Sequence, residues 1–176
     1  RFSVAASKAK YWLPVKPGTD LALLLAWANL LVTEGRYDKA FVHKHGHGFD
    51  KFAAEIKGYT PEWAAERCDV PAELIRASAR EFASHRPATV IHPGRRVNWY
   101  GDDTQRSRAI ALLSALLGNW GRKGGLYLSA GIKVKPFPLP KYPKSDKPHA
   151  DNPGGERYPF ADEQVTTGIR EATITG

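Results

Sequence analysis

Between Leu21 and Val32 the chain places Leu21, Leu23, Leu24, Leu25, Trp27, Leu30, Leu31 and Val32 with only Asn29 as a strongly polar interruption. A helix with so little polar face is expected to be buried nearly all round. Its ends are marked by Pro17-Gly18-Thr19-Asp20 and by Gly35: Thr19 is the expected N-cap, Asp20 suits the positive helix end, and Gly35 the stop.

The remaining pattern is read around that helix. Residues 1–10 read as a loop or short helix, and Tyr11 to Val15 as an extended apolar segment held open by Pro14 and Pro17. Tyr37 to His45 and Phe49 to Ile56 have the spacing of two short amphipathic helices with Phe41, Val42, Phe49, Phe52 and Ile56 as core positions. Thr60-Pro61-Glu62 is a helix start, and Pro71 opens another helix whose stripe is Leu74, Ile75, Ala79 and Phe82, with Glu73, Arg76, Arg80 and Glu81 toward water. Ala88 to His92 reads as a buried strand that breaks at Pro93-Gly94. A loop rich in Arg, Trp and Tyr leads to an N-cap at Asp102 or Asp103. Ile110, Leu112, Leu113, Leu116 and Leu117 then define an apolar helix ending at Gly118, and Leu126 to Leu128 reads as a second strand. From Lys133 to Pro159 seven prolines preclude regular structure and imply an extended segment, and Ile169 to Thr175 fits either helix or strand.

Composition narrows the classes. At 176 residues the chain suits one domain with a tail and can bury a core. Its longest apolar run is too short to cross a bilayer, and no signal sequence opens it. The chain begins at Arg1 and contains no Met, so residues before it are expected in the natural protein. The single cysteine, Cys68, cannot build a disulfide framework, a cysteine zinc site or an iron–sulfur site within these residues. His43, His45 and His47 alternate in a Lys- and Gly-rich turn without a carboxylate or thiolate to support them, so no metal ligands are assigned. A net charge of +8 and a pI near 9.6 favour an anionic partner: nucleic acid, a phosphorylated cofactor or an acidic subunit.

The densest chemistry lies in Ile91 to Gly125. Arg95, Arg96, Arg106, Arg108, Arg122 and Lys123 face only Asp102 and Asp103 there, at the carboxyl end of an expected strand where α/β proteins gather ligands. A solvated basic loop has the same composition. Asp20 has two readings as well. It can cap free amides of its helix, or its carboxylate can accept paired N–H donors from a planar base such as guanine, with Gly18 allowing close approach.

Two sets of motifs bear a resemblance. Trp12-Leu13-Pro14-Val15-Lys16-Pro17-Gly18-Thr19-Asp20 before an apolar helix, then Tyr37-Asp38, Phe41-Val42, Gly48-Phe49 and Tyr59-Thr60-Pro61-Glu62-Trp63-Ala64-Ala65, resembles the middle of the molybdopterin oxidoreductase (dimethyl sulfoxide reductase) superfamily. His92-Pro93-Gly94-Arg95-Arg96, Trp99-Tyr100-Gly101-Asp102-Asp103-Thr104-Gln105-Arg106 and Gly118-Asn119-Trp120-Gly121-Arg122-Lys123-Gly124-Gly125 are similar to its polysulfide, thiosulfate and sulfite-oxidising branch. The resemblance runs from Arg1 to about Ser129.

The resemblance implies an α/β class: a Rossmann-like central domain over 1–132, with a helix-rich N-terminal half, and a Pro-rich irregular segment over 133–176. It implies a fragment of a catalytic subunit that holds molybdenum, or tungsten, between two molybdopterin guanine dinucleotides and acts on an inorganic sulfur compound. Gly18, Thr19 and Asp20 match the family's guanine-contacting motif. His92, Gly94, Arg95 and Arg96 would lie near the pterin and metal pocket, with Arg95 the catalytic candidate, and Gln105 and Arg106 at the dinucleotide. The metal ligand and the iron–sulfur cysteines belong to an N-terminal part that these residues do not include, and Cys68 matches no ligand position. Implied partners are an iron–sulfur electron-transfer subunit, a membrane anchor subunit and an anionic small-molecule substrate, in a bacterial membrane-associated complex on either the periplasmic or the cytoplasmic side. By itself the segment is expected to be inactive. Two alternatives stand beside this reading. One is a metal-free structural homologue in a respiratory complex; the other is a basic nucleic-acid-binding module using Arg95, Arg96, Trp99 and Tyr100, although no nucleic acid is expected as partner.

Overall fold

The computed structural model describes residues 2–92 and 103–127, together with Gly131 and Pro138. The chain divides into two units, Arg1–Ala130 and Gly131–Gly176, and every element below belongs to the first. These elements are α1 (Val4–Lys8), α2 (Asp20–Thr33), α3 (Lys39–His45), α4 (Phe49–Glu55), a 3-10 turn at Ile56–Gly58, α5 (Pro61–Cys68), α6 (Ala72–Ser84) and α7 (Asp103–Leu117).

The apolar helix α2 is the common wall of two cores. Ala22, Leu23, Ala26 and Leu30 face Ala64 and Cys68 of α5, Val70, and Ile75 and Ala79 of α6. Leu24, Ala28 and Leu31 face Ile56, Ala83 and the α7 residues Ala109, Leu113, Leu116 and Leu117. Each fully buried leucine here contributes roughly 1.5–3 kcal/mol by leaving water. The one polar residue inside the run is used: buried Asn29 donates from Nδ2 to the carbonyls of Ile56 (2.9 Å) and Lys57 (3.2 Å), tying the 3-10 turn to α2. At the far end, the Gly35 amide bonds Val32 O and the Arg36 amide bonds Leu31 O, which closes the free carbonyls of α2 in a Schellman arrangement.

Thr19 departs from expectation. It occupies the N-cap position, but its hydroxyl donates to Lys16 O at 2.6 Å and makes no cap to α2. The preceding turn claims the hydroxyl, so the first amides of α2 have no side-chain cap. Asp38 and Thr60 do cap: Asp38 accepts from Phe41 N (2.8 Å) and Thr60 from Trp63 N (3.2 Å), with Pro61 in the first turn of α5. Of the five core positions assigned to α3 and α4, only Ile56 is fully buried; Phe41, Val42, Phe49 and Phe52 remain half-exposed along a cleft whose other wall includes Leu112 of α7. The polar residues of α6 reach neighbours as well as water. Arg80 clamps Glu34, Arg76 pairs with Glu62 and Glu73, and Glu81 pairs with Lys10.

Among the described residues every regular element is helical. Ala88 to His92, expected as a strand, forms no ladder, and Leu126 contributes only one isolated parallel bridge to Trp120; Leu128 lies outside the described residues. A strand is defined by a neighbour's N–H and C=O groups, and what these two segments meet among the described residues is the Asn119–Gly121 turn. That turn bonds Leu126 at the Leu126 N–Asn119 O and Gly121 N–Leu126 O pairs and reaches Ala88 to His92 through the Asn119 side chain on Thr89 O. The proline-rich 133–159 and the stretch 169–175 also lie outside the described residues, Pro138 apart.

Candidate functional site

α2 and α7 run side by side in the same direction. Asp20, first residue of α2, meets Arg106 of the first turn of α7, and beyond the other end of α2 the Asp38 amide bonds Leu116 O of α7 at 2.7 Å. Two helix N-termini, each worth roughly half a positive charge, therefore lie side by side at one end of this helical unit.

Arg106 Nη1 donates to Asp20 Oδ2 at 3.0 Å, across 86 positions of sequence. The two partners differ in exposure: the arginine side chain is 16% exposed and the aspartate 49%. The cation is therefore fixed by packing while the carboxylate opens to solvent. Gly18, with φ at +85°, turns the chain into Thr19 and Asp20, and a Cβ placed on it would meet nothing within 4 Å. An open backbone turn, a half-exposed carboxylate held by Arg106, and uncapped amides together make a small concave donor–acceptor set suited to a planar hydrogen-bonding group.

The other expected site residues divide. Gln105 is exposed and accepts from Arg108 Nη1 at 2.9 Å, so its side chain turns along α7 rather than toward Asp20. His92 is exposed at the end of the described segment that precedes α7. Gly94, Arg95 and Arg96 lie outside the described residues, as do Trp99 and Tyr100.

The six cations read as one cluster do not converge where they are described. Arg106 sits at the start of α7, whereas Arg122 follows its end, where Nη1 reaches Asp38 Oδ2 at 2.7 Å and the guanidinium lies 5.2 Å from the Phe41 ring centre. The eleven helical steps from Arg106 to Leu117 separate these places by roughly 16 Å at 1.5 Å per residue. The glycine motif after α7 has a structural role. Asn119 is fully buried and donates to Thr89 O, and a Cβ on Gly118 would lie 2.6 Å from Asp38 Oδ2.

Asp38 is the residue that sequence reading passed over. Its carboxyl is held below its ordinary value by the Phe41 amide first, with Arg122 adding to the effect and burial opposing it. An Asp three residues ahead of Phe41 was a visible cap signal; its second partner, 84 positions away, was not. Among the described residues no group of three His, Cys, Asp or Glu side chains could hold a metal ion.

Comparison with known proteins bears on what this end of the molecule serves. The molybdopterin-containing subunit of thiosulfate reductase from Salmonella typhimurium is 42% identical over 134 residues, which cover 76% of this chain and 18% of that protein. A probable dimethyl sulfoxide reductase chain from Escherichia coli is 39% identical over 97% of this chain and 21% of its own length. The molybdopterin-containing subunit of the arsenate respiratory reductase of Chrysiogenes arsenatis is 33% identical over 83% of this chain. The chain belongs to the molybdopterin oxidoreductase (dimethyl sulfoxide reductase) superfamily. It spans about a fifth of the length of these curated relatives. Acetylene hydratase from Pelobacter acetylenicus shares the fold with a TM-score of 0.68 and 29% identity, covering 72% of this chain and 17% of that one. No family model matches the chain.

Proposed function

We propose that this chain is the guanine-dinucleotide-facing part of a molybdenum oxidoreductase catalytic subunit whose substrate is an inorganic sulfur compound: polysulfide, thiosulfate or sulfite. The observation that carries the reading is the half-exposed Asp20 carboxylate, held at Oδ2 by Arg106 and set beside an unobstructed Gly18 turn. An ionised carboxylate offers about four acceptor positions, enough for one guanidinium N–H and two N–H donors of a guanine edge. The residues therefore fit a guanine nucleotide. Gly18, Thr19 and Asp20 would hold the base. The positive starts of α2 and α7 favour phosphate nearby.

His92, Gly94, Arg95 and Arg96 belong to the same proposal as the segment closer to the pterin, with Arg95 the group that meets an anionic substrate. When bound, the molybdenum group would supply two-electron chemistry at sulfur, and the protein's part is to hold, orient and charge-balance it. The α/β, Rossmann-like class is proposed with it: Ala88–His92 and Leu126–Leu128 would become strands against neighbours outside the described residues. In the same reading the longer protein passes electrons through iron–sulfur clusters to an electron-transfer subunit and a membrane anchor, and the 176-residue chain alone has no turnover.

The sulfur class is supported by the identity to a thiosulfate reductase subunit; dimethyl sulfoxide and arsenate reductases are also relatives, so the segment is shared by several substrate classes. A hydratase is also similar in fold, in keeping with the rule that reaction type is set by the site rather than the scaffold. The test is made on the intact protein that carries this segment: molybdenum and pterin content, GMP released on acid hydrolysis, and turnover with thiosulfate, polysulfide and sulfite against dimethyl sulfoxide and arsenate. Stoichiometric metal, GMP and a preference for a sulfur compound are expected. Absence of metal and pterin overturns the catalytic reading in favour of a metal-free structural homologue, and metal with preference for arsenate overturns the substrate class.

A further inference from the structure

Arg106 has the composition of a phosphate-binding residue, yet its described partner is a carboxylate. A side chain meant to meet a dinucleotide's phosphates would present its guanidinium to solvent. Here the arginine is the buried partner, 16% exposed against 49% for Asp20. Its Nη1 engages Oδ2 of Asp20 at 3.0 Å.

An aspartate at the first position of a helix has two free rotors and uncapped amides close by, so by itself it folds back onto its own helix end. One contact opposes that here: Thr19 has its hydroxyl committed to Lys16 O and leaves the amides free, but Arg106 holds Oδ2 from the neighbouring helix. The carboxylate plane is thereby set from outside α2.

We infer that Arg106 is a positioning residue that fixes the Asp20 carboxylate so that it accepts a matched pair of N–H donors, making this end of the molecule selective among purine bases. The inference rests on the guanine reading above and adds to it the residue through which Asp20 is aimed. Guanine presents two adjacent donors, N1–H and the N2 amino group; hypoxanthine presents N1–H alone. Adenine places an acceptor, N1, where the second donor should be. A fixed carboxylate ranks them in that order, whereas a freely turning one loses much of the discrimination.

The full 176-residue chain is titrated calorimetrically with GMP, IMP and AMP, as wild type and as Arg106→Ala, Arg106→Gln, Arg106→Lys and Asp20→Asn. Loss of Arg106 is expected to weaken GMP on the order of tenfold, the scale of one charge-assisted hydrogen bond, and to lower the GMP-to-AMP ratio. Lys, which restores the charge, should recover part of that ratio, and Asp20→Asn should abolish it. Thermal midpoints taken in parallel separate this from a purely structural role, which would lower stability and leave the ratio unchanged. An equal fall for all three nucleotides in the Ala and Gln variants makes Arg106 a phosphate ligand and overturns the inference while the guanine reading stands. A wild-type chain with no preference for GMP overturns both.

Discussion

Asp38 and Arg122, 84 positions apart, join the start of α3 to the turn after α7 through a 2.7 Å contact between Oδ2 and Nη1. The same carboxylate caps α3 through Phe41 N, and the Asp38 amide bonds Leu116 O. One side chain thus satisfies a helix end and a cation together. Asp38→Ala is expected to lower stability by about 1–2 kcal/mol, chiefly through the lost cap, as read by denaturant unfolding.

Acid should reveal the same residue. The Phe41 amide and Arg122 hold the Asp38 carboxyl below its ordinary 3.8, so the folded form keeps its proton off longer than the unfolded form does. Its contribution is complete above pH 3.8 and fades as pH falls through the lowered folded value. The stability gap between wild type and Asp38→Asn is therefore expected to be constant near neutrality and to narrow below that pH. A gap that widens on acidification contradicts the assignment.

Two glycines with positive φ separate backbone strain from collision. Gly18, at +85°, has no atom within 4 Å of a Cβ, so Gly18→Ala meets conformational strain alone, about 1 kcal/mol. Gly118, at +63°, would drive its Cβ to 2.6 Å from Asp38 Oδ2. Gly118→Ala is expected to cost clearly more, and combining it with Asp38→Ala should recover part of the loss. Thermal melts of the four variants and wild type decide it.

Leu112 and Leu113 are neighbours on α7 with opposite environments. Leu113 is fully buried against α2, and Leu113→Ala should cost about 2–5 kcal/mol. Leu112 is 39% exposed, and its alanine variant should cost well under half as much in the same melts.

Cys68 is a free thiol without exposure at the end of α5. A thiol-specific chromogenic reagent is expected to label it slowly in buffer and at once in denaturant, with a native rate that follows opening of the core formed by α2, α5 and α6. Immediate labelling in buffer contradicts that packing.

Local rules made much of this fold legible. Apolar spacing located α2, α6 and α7, and Thr60-Pro61-Glu62 announced the capped start of α5 that the Thr60 contact fulfils. Thr19 misled because a hydroxyl near a helix end can serve either the helix or the turn before it, and composition does not choose between them. The basic stretch misled for another reason. Residues close in sequence need not be close in space: a helix of fifteen residues separates Arg106 at its start from Arg122 beyond its end. The Asp20–Arg106 pairing spans 86 positions and follows from how two helices dock, which single-residue patterns do not encode. Strand formation at Ala88–His92 likewise depends on neighbours that a segment's own residues do not name.

The position of α2 has a consequence for folding. With one face in each core and Asn29 tied to the turn at Ile56 and Lys57, neither half can loosen without exposing leucines that the other half also needs. Amide exchange in α5, α6 and α7 should then share a single opening event, so that the one helix packed against all three is what makes them melt together.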